Sequence, residues 1–180
     1  MLRITIPPAE LWDRNRREFV HTKEQTLQLE HSLVSLSKWE AKWQKPFLSQ
    51  KQLSLEETLD YIRCMTLTQN VDPDIYNYLT NQNIDDVTAY IRSPMTATTF
   101  SDRSSKTGKK EIVTSELIYY WMVALQIPFE CQKWHLNRLL TLIRICNIKN
   151  QPPKKRSTSD ILRSNAALNA ARRKQLNSRG

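Results

Sequence analysis

SELIYYWMVALQIP, running from Ser115 to Pro128, is the stretch that decides the fold class. Thr114 or Ser115 supplies an N-cap, LIYYWMVALQI is apolar almost all round, and Pro128 cannot continue a helix. A helix of this composition is expected at the centre of the molecule, buried on every side. Phe129 leads into a last long helix. On it Leu136, Leu139, Leu140, Ile143 and Cys146 make one face, and Lys133, Asn137, Arg138, Thr141 and Arg144 the other.

Upstream, the spacing predicts a series of short helices. Ser37-x-x-Glu40 has the form of a capping box, with Trp39 and Trp43 four residues apart and Pro46 closing the segment. Both indoles are expected in the core. Ser54-x-x-Glu57 repeats the pattern, and Leu55, Leu59, Ile62 and Thr66 follow at helical intervals. Asp72-Pro73 reads as an N-cap followed by proline at the first helical position, opening a short helix with Ile75 and Leu79. A further helix holds Ile84, Val87 and Ile91 and stops before Pro94.

Two short strands are expected near the start, because Leu2, Ile4 and Ile6 alternate with Arg3 and Thr5, and Thr26 to Glu30 alternates likewise. Residues 93–110 are rich in Ser, Thr and Lys and read as a long exposed loop carrying Arg103, Lys106, Lys109 and Lys110. The fold class is therefore mainly α: a compact helical bundle, with one core, a short N-terminal β-ribbon and an extended basic C-terminal arm. The expected division is a body over residues 1–150 and an arm over 151–180.

The arm is marked by an abrupt change of composition. Gln151-Pro152-Pro153 is a stiff connector, and beyond it Lys154, Lys155, Arg156, Arg163, Arg172, Arg173, Lys174 and Arg179 face Asp160 alone. That is a net of +7, which leaves +2 of the total +9 for the first 150 residues. A marginal helix is expected from about Ser159 to Leu176, with a thin apolar stripe of Ile161, Leu162, Leu168 and Leu176 padded by alanines. A basic arm on a nearly neutral body is suited to an acidic protein surface or a nucleic acid. The candidate partner-binding residues are Lys154, Lys155, Arg156, Ile161, Leu162, Leu168, Arg172, Arg173, Lys174 and Leu176.

Several chemistries are poorly served. The glycines are Gly108 and Gly180, and neither opens a helix after a strand, so the usual phosphate-cradling loops are absent. Cys64, Cys131 and Cys146 are odd in number and lie in apolar stretches, as expected of reduced thiols. No Cys-x-x-Cys or His-x-x-x-His pair suggests zinc. Cys131 and His135 stand four apart but lack a third orienting group, so a buried thiol and a hydrogen-bonded imidazole are the expectation. His21 and His31 carry no argument. Asp72 with Asp74, and Asp85 with Asp86, are read as acids at helix starts that complement the helix dipole. The tryptophans fall on apolar faces away from the Lys and Arg clusters, which makes nucleic-acid binding a second alternative. No catalytic residue, cofactor or metal is expected. No apolar run approaches the roughly 18–20 residues of a membrane span, and no secretory signal is visible, so cytoplasmic residence is expected.

LEHSLVSLSKWEAKW (residues 29–43), EETLDYIRCMTLTQNVDP (56–73), SELIYYWMVALQIPFECQKWHLNRLLTLIRICN (115–147) and AALNAARRKQLNSRG (166–180) resemble a group of small proteins encoded in the structural-gene clusters of long-tailed bacteriophages. The best-fitting role in that group is the tail assembly chaperone. The resemblance implies a helical helper in the host cytoplasm that binds the tape measure protein during tail morphogenesis, keeps it soluble and recruits tail-tube protein. The alternative within the group is a virion component, a head–tail connector or tail completion protein whose basic arm threads along a neighbouring subunit.

Overall fold

The computed structural model describes residues 1–13, 18–100, 112–150 and 158–176. Short strands come first: β1 (Leu2–Ile6), β2 (Ala9–Asp13), β3 (Glu18–Thr22) and β4 (Gln25–Leu29). Helices follow: α1 (Leu33–Trp43), α2 (Leu55–Met65), α3 (Asn81–Arg92), α4 (Ser115–Ala124), α5 (Leu136–Asn150) and α6 (Thr158–Leu176). Turns of 3₁₀ helix at Phe47–Ser49, Pro73–Tyr78 and Phe129–Lys133 connect them. The protein is thus mainly helical with short antiparallel strands at its N-terminal end. It divides into two compact units, Met1–Asn147 and Ile148–Gly180. Among the described residues, no helix is long and apolar enough to cross a membrane.

β1 pairs with β4 antiparallel, with Ile4 opposite Leu27 and Leu2 opposite Leu29. Alternation does the rest: Ile4, Ile6, Leu27 and Leu29 are buried, while Thr5 and Thr26 meet through their hydroxyls on the solvent face. The chain leaving α2 adds to the outer edge of β4, Glu30 N–H donating to Met65 and Leu67 N–H to Gln28. β2 and β3 form a second antiparallel pair, whose register sets Leu11 opposite Val20 and Trp12 opposite Phe19 along the backbone. This pair was not expected. Leu11-Trp12 and Phe19-Val20 are adjacent apolar residues rather than alternating ones, so the period-2 signal is missing.

The N-cap of α1 lies five residues before the expected one. Ser32, not Ser37, is its N-cap, accepting from Ser35 N–H while Ser35 Oγ accepts from Ser32 N–H. Ser37 lies inside the helix, and Glu40 is buried and committed elsewhere. The helix ends on Gln44 in the left-handed conformation, its N–H on Glu40 O, two residues ahead of Pro46.

Chain length suggested one core, yet the first unit holds two apolar clusters. One gathers Ile4, Ile6, Leu27, Leu29, Trp39, Tyr61, Ile62, Met65 and Val87. The other gathers Leu33, Leu36, Ile118, Met122, Leu136, Leu139 and Ile143. α1 feeds each of them, Trp39 going to the first and Leu33 and Leu36 to the second, and Phe47 packs against both. It is therefore α1, not α4, that is central. α4 buries Ile118 and Met122 but leaves Tyr120 65% and Val123 61% exposed. Its composition is apolar, yet only one side of it meets α1 and α5 residues.

α2 corrects a second reading. Its Ser54–Glu57 capping box forms as expected, but Leu55 is exposed and the buried face is Glu57, Asp60, Tyr61, Ile62 and Met65. The rotation follows from α1, whose Trp39 Nε1 donates to Glu57 O and whose Trp43 Nε1 donates to Asp60 Oδ2. Lys42 pairs with Asp60 and Lys45 with Glu57, so each acid has a partner. Thr80 caps α3, and Thr114 caps α4. Asp72 caps the 3₁₀ turn by accepting from Asp74 N–H, as read. Asp85 and Asp86 do not open a helix: they lie in the second turn of α3, where Asp86 accepts from Gln82.

Candidate partner-binding site

The residues expected to meet a partner fall on or before α6. Ala166, Ala167, Ala170 and Ala171, with leucine, arginine, lysine and glutamine, favour helix. Arg173 and Lys174 in the last turn complement its dipole. Leu162, Leu168, Arg172, Arg173, Lys174 and Leu176 are on the helix and exposed. Ile161 has a helical backbone position, and Lys154, Lys155 and Arg156 lie outside the described residues. Ile161, Leu168 and Leu176 fall on one line of the helix by spacing. Asn165 and Arg172 interrupt that line, so the stripe stays narrow.

Sequence reading passed over a second constellation, a buried polar joint in the first unit. His31 precedes the N-cap of α1 and His135 precedes α5; they are 2% and 5% exposed, with ring centroids 5.1 Å apart. Leu136 N–H donates to His31 O at 2.7 Å, tying the end of β4 to the start of α5. His31 Nδ1 and the Tyr61 hydroxyl are 2.5 Å apart. His135 Nε2 meets the Tyr90 carbonyl at 3.1 Å and Nδ1 accepts from Asn137 N–H at 3.3 Å. These contacts fit a neutral imidazole protonated on Nε2.

Burial, with His135 adding to it, holds His31 far below the usual imidazole range, at about 3. Burial also lowers His135, against the opposing pull of the Tyr90 carbonyl and Glu30. Tyr61 is pushed well up, chiefly by burial, and Tyr90 by burial and then by its bond to Glu30. The joint ties Tyr61 of the first apolar cluster to Leu136 of the second. Its imidazoles are neutral, buried and satisfied, an arrangement suited to fixing geometry.

Cys131 and His135 are not a couple. Each ring nitrogen of His135 is engaged by backbone, and the two residues are separated by the end of a 3₁₀ turn rather than by one α-helical turn. Cys64, Cys131 and Cys146 are free thiols. Among the described residues no group of three His, Cys, Asp or Glu side chains could hold a metal. Trp43 and Trp134 have cations near their rings, from residues close to them in sequence. The Arg138 guanidinium lies 4.3 Å from the Trp134 ring centre, and Lys42 and Lys45 lie 5.9 and 5.6 Å from that of Trp43.

No family model, no curated protein and no solved structure matches the chain.

Proposed function

We propose that this protein acts by non-covalent binding of a macromolecular partner, and that the partner is the tape measure protein of a long-tailed bacteriophage, held soluble while the tail is assembled in the host cytoplasm. The observation that carries the reading is α6. A helix of 19 residues presents Leu162, Leu168 and Leu176 to solvent and concentrates Arg172, Arg173 and Lys174 at its end. A helix with so little of its own to bury gains stability by laying that stripe against another helix. The cations at its end suit an acidic stretch on the partner. The resemblance to phage structural-cluster proteins supplies the partner's identity, with tail-tube protein as a second client. No residue is assigned a catalytic role.

Co-expression tests this directly. The tape measure protein is expected in a soluble complex with this chain, and purified particles are expected to lack it. Stoichiometric presence in virions would transfer the assignment to a head–tail connector or tail completion protein.

A second reading, nucleic-acid binding, is favoured by Arg138 over the Trp134 ring, which pairs a cation with an aromatic face, and by the +7 of the C-terminal 30 residues. Binding through about six phosphates would weaken roughly 10³-fold between about 50 and 200 mM salt. A titration with duplex and single-stranded DNA that finds no salt-sensitive binding removes this reading.

A further inference from the structure

A cleft of about 340 Å³ opens between the first half of α1, the chain leaving α2, and Lys133. Val34, Met65 and Leu67 give it an apolar lining, with the half-buried Cys64 beside them. Lys38 and Lys133 also line it, and neither has an ion-pair partner among the described residues. Its one carboxylate, Glu30, is already engaged at each oxygen: Oε2 with the Met1 amino group at 2.9 Å, Oε1 with the Tyr90 hydroxyl at 2.7 Å. The unmatched charge of the cleft is therefore positive, and it sits beside an aliphatic surface.

We propose that this cleft binds the carboxyl-terminal residue of a partner polypeptide, with an aliphatic side chain against Val34, Met65 and Leu67 and the terminal carboxylate within reach of Lys38 and Lys133. Charge complementarity calls for an anion, and the apolar lining calls for an aliphatic group attached close to it. An inorganic phosphate would leave Val34, Met65 and Leu67 uncovered, and the hydroxyls of Ser32, Ser35 and Thr66, which also line the cleft, already donate within the chain. The volume lies at the lower end of the roughly 300–1,000 Å³ of ligand sites, which suits a chain end rather than a long lipid tail. Capture of a terminal carboxylate is a known mode of peptide recognition. The site belongs to the first unit and stands independently of the role given to α6.

Cys64 lines the cleft and reports its occupancy, while Cys146, half-buried against the second apolar cluster, serves as internal control. The full-length protein is alkylated with iodoacetamide in the presence of acetyl-Ser-Gly-Ser-Leu with a free carboxylate, of the same peptide as its amide, or of octanoate. The free-acid peptide is expected to slow alkylation of Cys64 about tenfold near saturation, with Cys146 unaffected. The double variant Lys38→Glu/Lys133→Glu is expected to lose the protection with little change in melting, since the two lysines are exposed; Lys38→Gln alone is expected to weaken it. Equal protection by the amide, no protection, or equal slowing at Cys146 would overturn the proposal. Octanoate protecting as well as the peptide acid would overturn the assignment to a polypeptide end.

Discussion

Oε2 of Glu40 accepts a hydrogen bond from the backbone N–H of Ser115 at 2.7 Å, so a side chain in α1 satisfies an N–H of the first turn of α4. Its Oε1 accepts from Phe47 N–H at 2.9 Å, so one carboxylate ties α1 to the 3₁₀ turn after it and to a helix far along the chain. Glu40→Ala leaves these two N–H groups without their partner and is expected to cost about 3 kcal/mol. Glu40→Gln keeps an acceptor for one of them and should cost about half as much. Urea unfolding at neutral pH measures the difference; equal stability of wild type and Glu40→Ala would mean that water replaces the carboxylate without loss.

The two serines of α1 separate the local pattern from the folded helix. Ser32→Ala removes the cap and is expected to destabilise by about 1 kcal/mol, whereas Ser37→Ala, inside the helix, should stay within about 0.5 kcal/mol of wild type. The reverse order would restore the later helix start.

Stability is expected to fall with acid before most carboxylates titrate. His31 binds its proton near 6.5 when unfolded and only near 3 when folded. Between those values the unfolded chain holds the extra proton, so the contribution is complete above about 6.5 and is lost progressively as pH falls towards 3. His135, lowered in the same direction, adds to the slope. The total is a few kcal/mol. His31→Asn keeps an acceptor for Tyr61 and removes the proton site, so denaturation midpoints measured from pH 7 to 5 should decline less steeply in that variant. An unchanged slope would place the proton uptake elsewhere.

Removing the residues after Asn150 deletes α6, whose described side chains from Leu162 onward are exposed. The thermal midpoint of the truncated chain should stay close to that of the full chain, read by the fluorescence of Trp39, Trp43, Trp121 and Trp134, while partner binding is abolished. A large drop in midpoint, or retention of full affinity, would contradict the role given to α6.

Local rules made much of the chain legible. Capping chemistry placed the start of α2 at Ser54 and that of α4 at Thr114 or Ser115, proline set a limit on α3 before Pro94, and alternation found β1 and β4. Each depends on residues close in sequence, whose hydrogen bonds and turns form locally where no distant partner claims them. The apolar side chains and cations of the candidate helix were equally visible, because composition alone marks that segment.

What only the tertiary structure decided is which neighbour each face meets. Glu40 looked like half of a capping box because its pattern is local; its partner, Ser115, lies far away in sequence. His31 looked isolated because the Tyr61 hydroxyl and the His135 ring approach it from α2 and from the start of α5. α4 looked central because its composition is apolar on every side, but burial is granted by what packs against a helix, and α1 has the two-sided contacts. Sequence determined the charge and most of the helices, since these follow from neighbours along the chain, but not β2, β3 or the start of α1. The polar joint, the rotation of α2 and the lysine-rimmed cleft were set by long-range packing, which no spacing within one segment encodes.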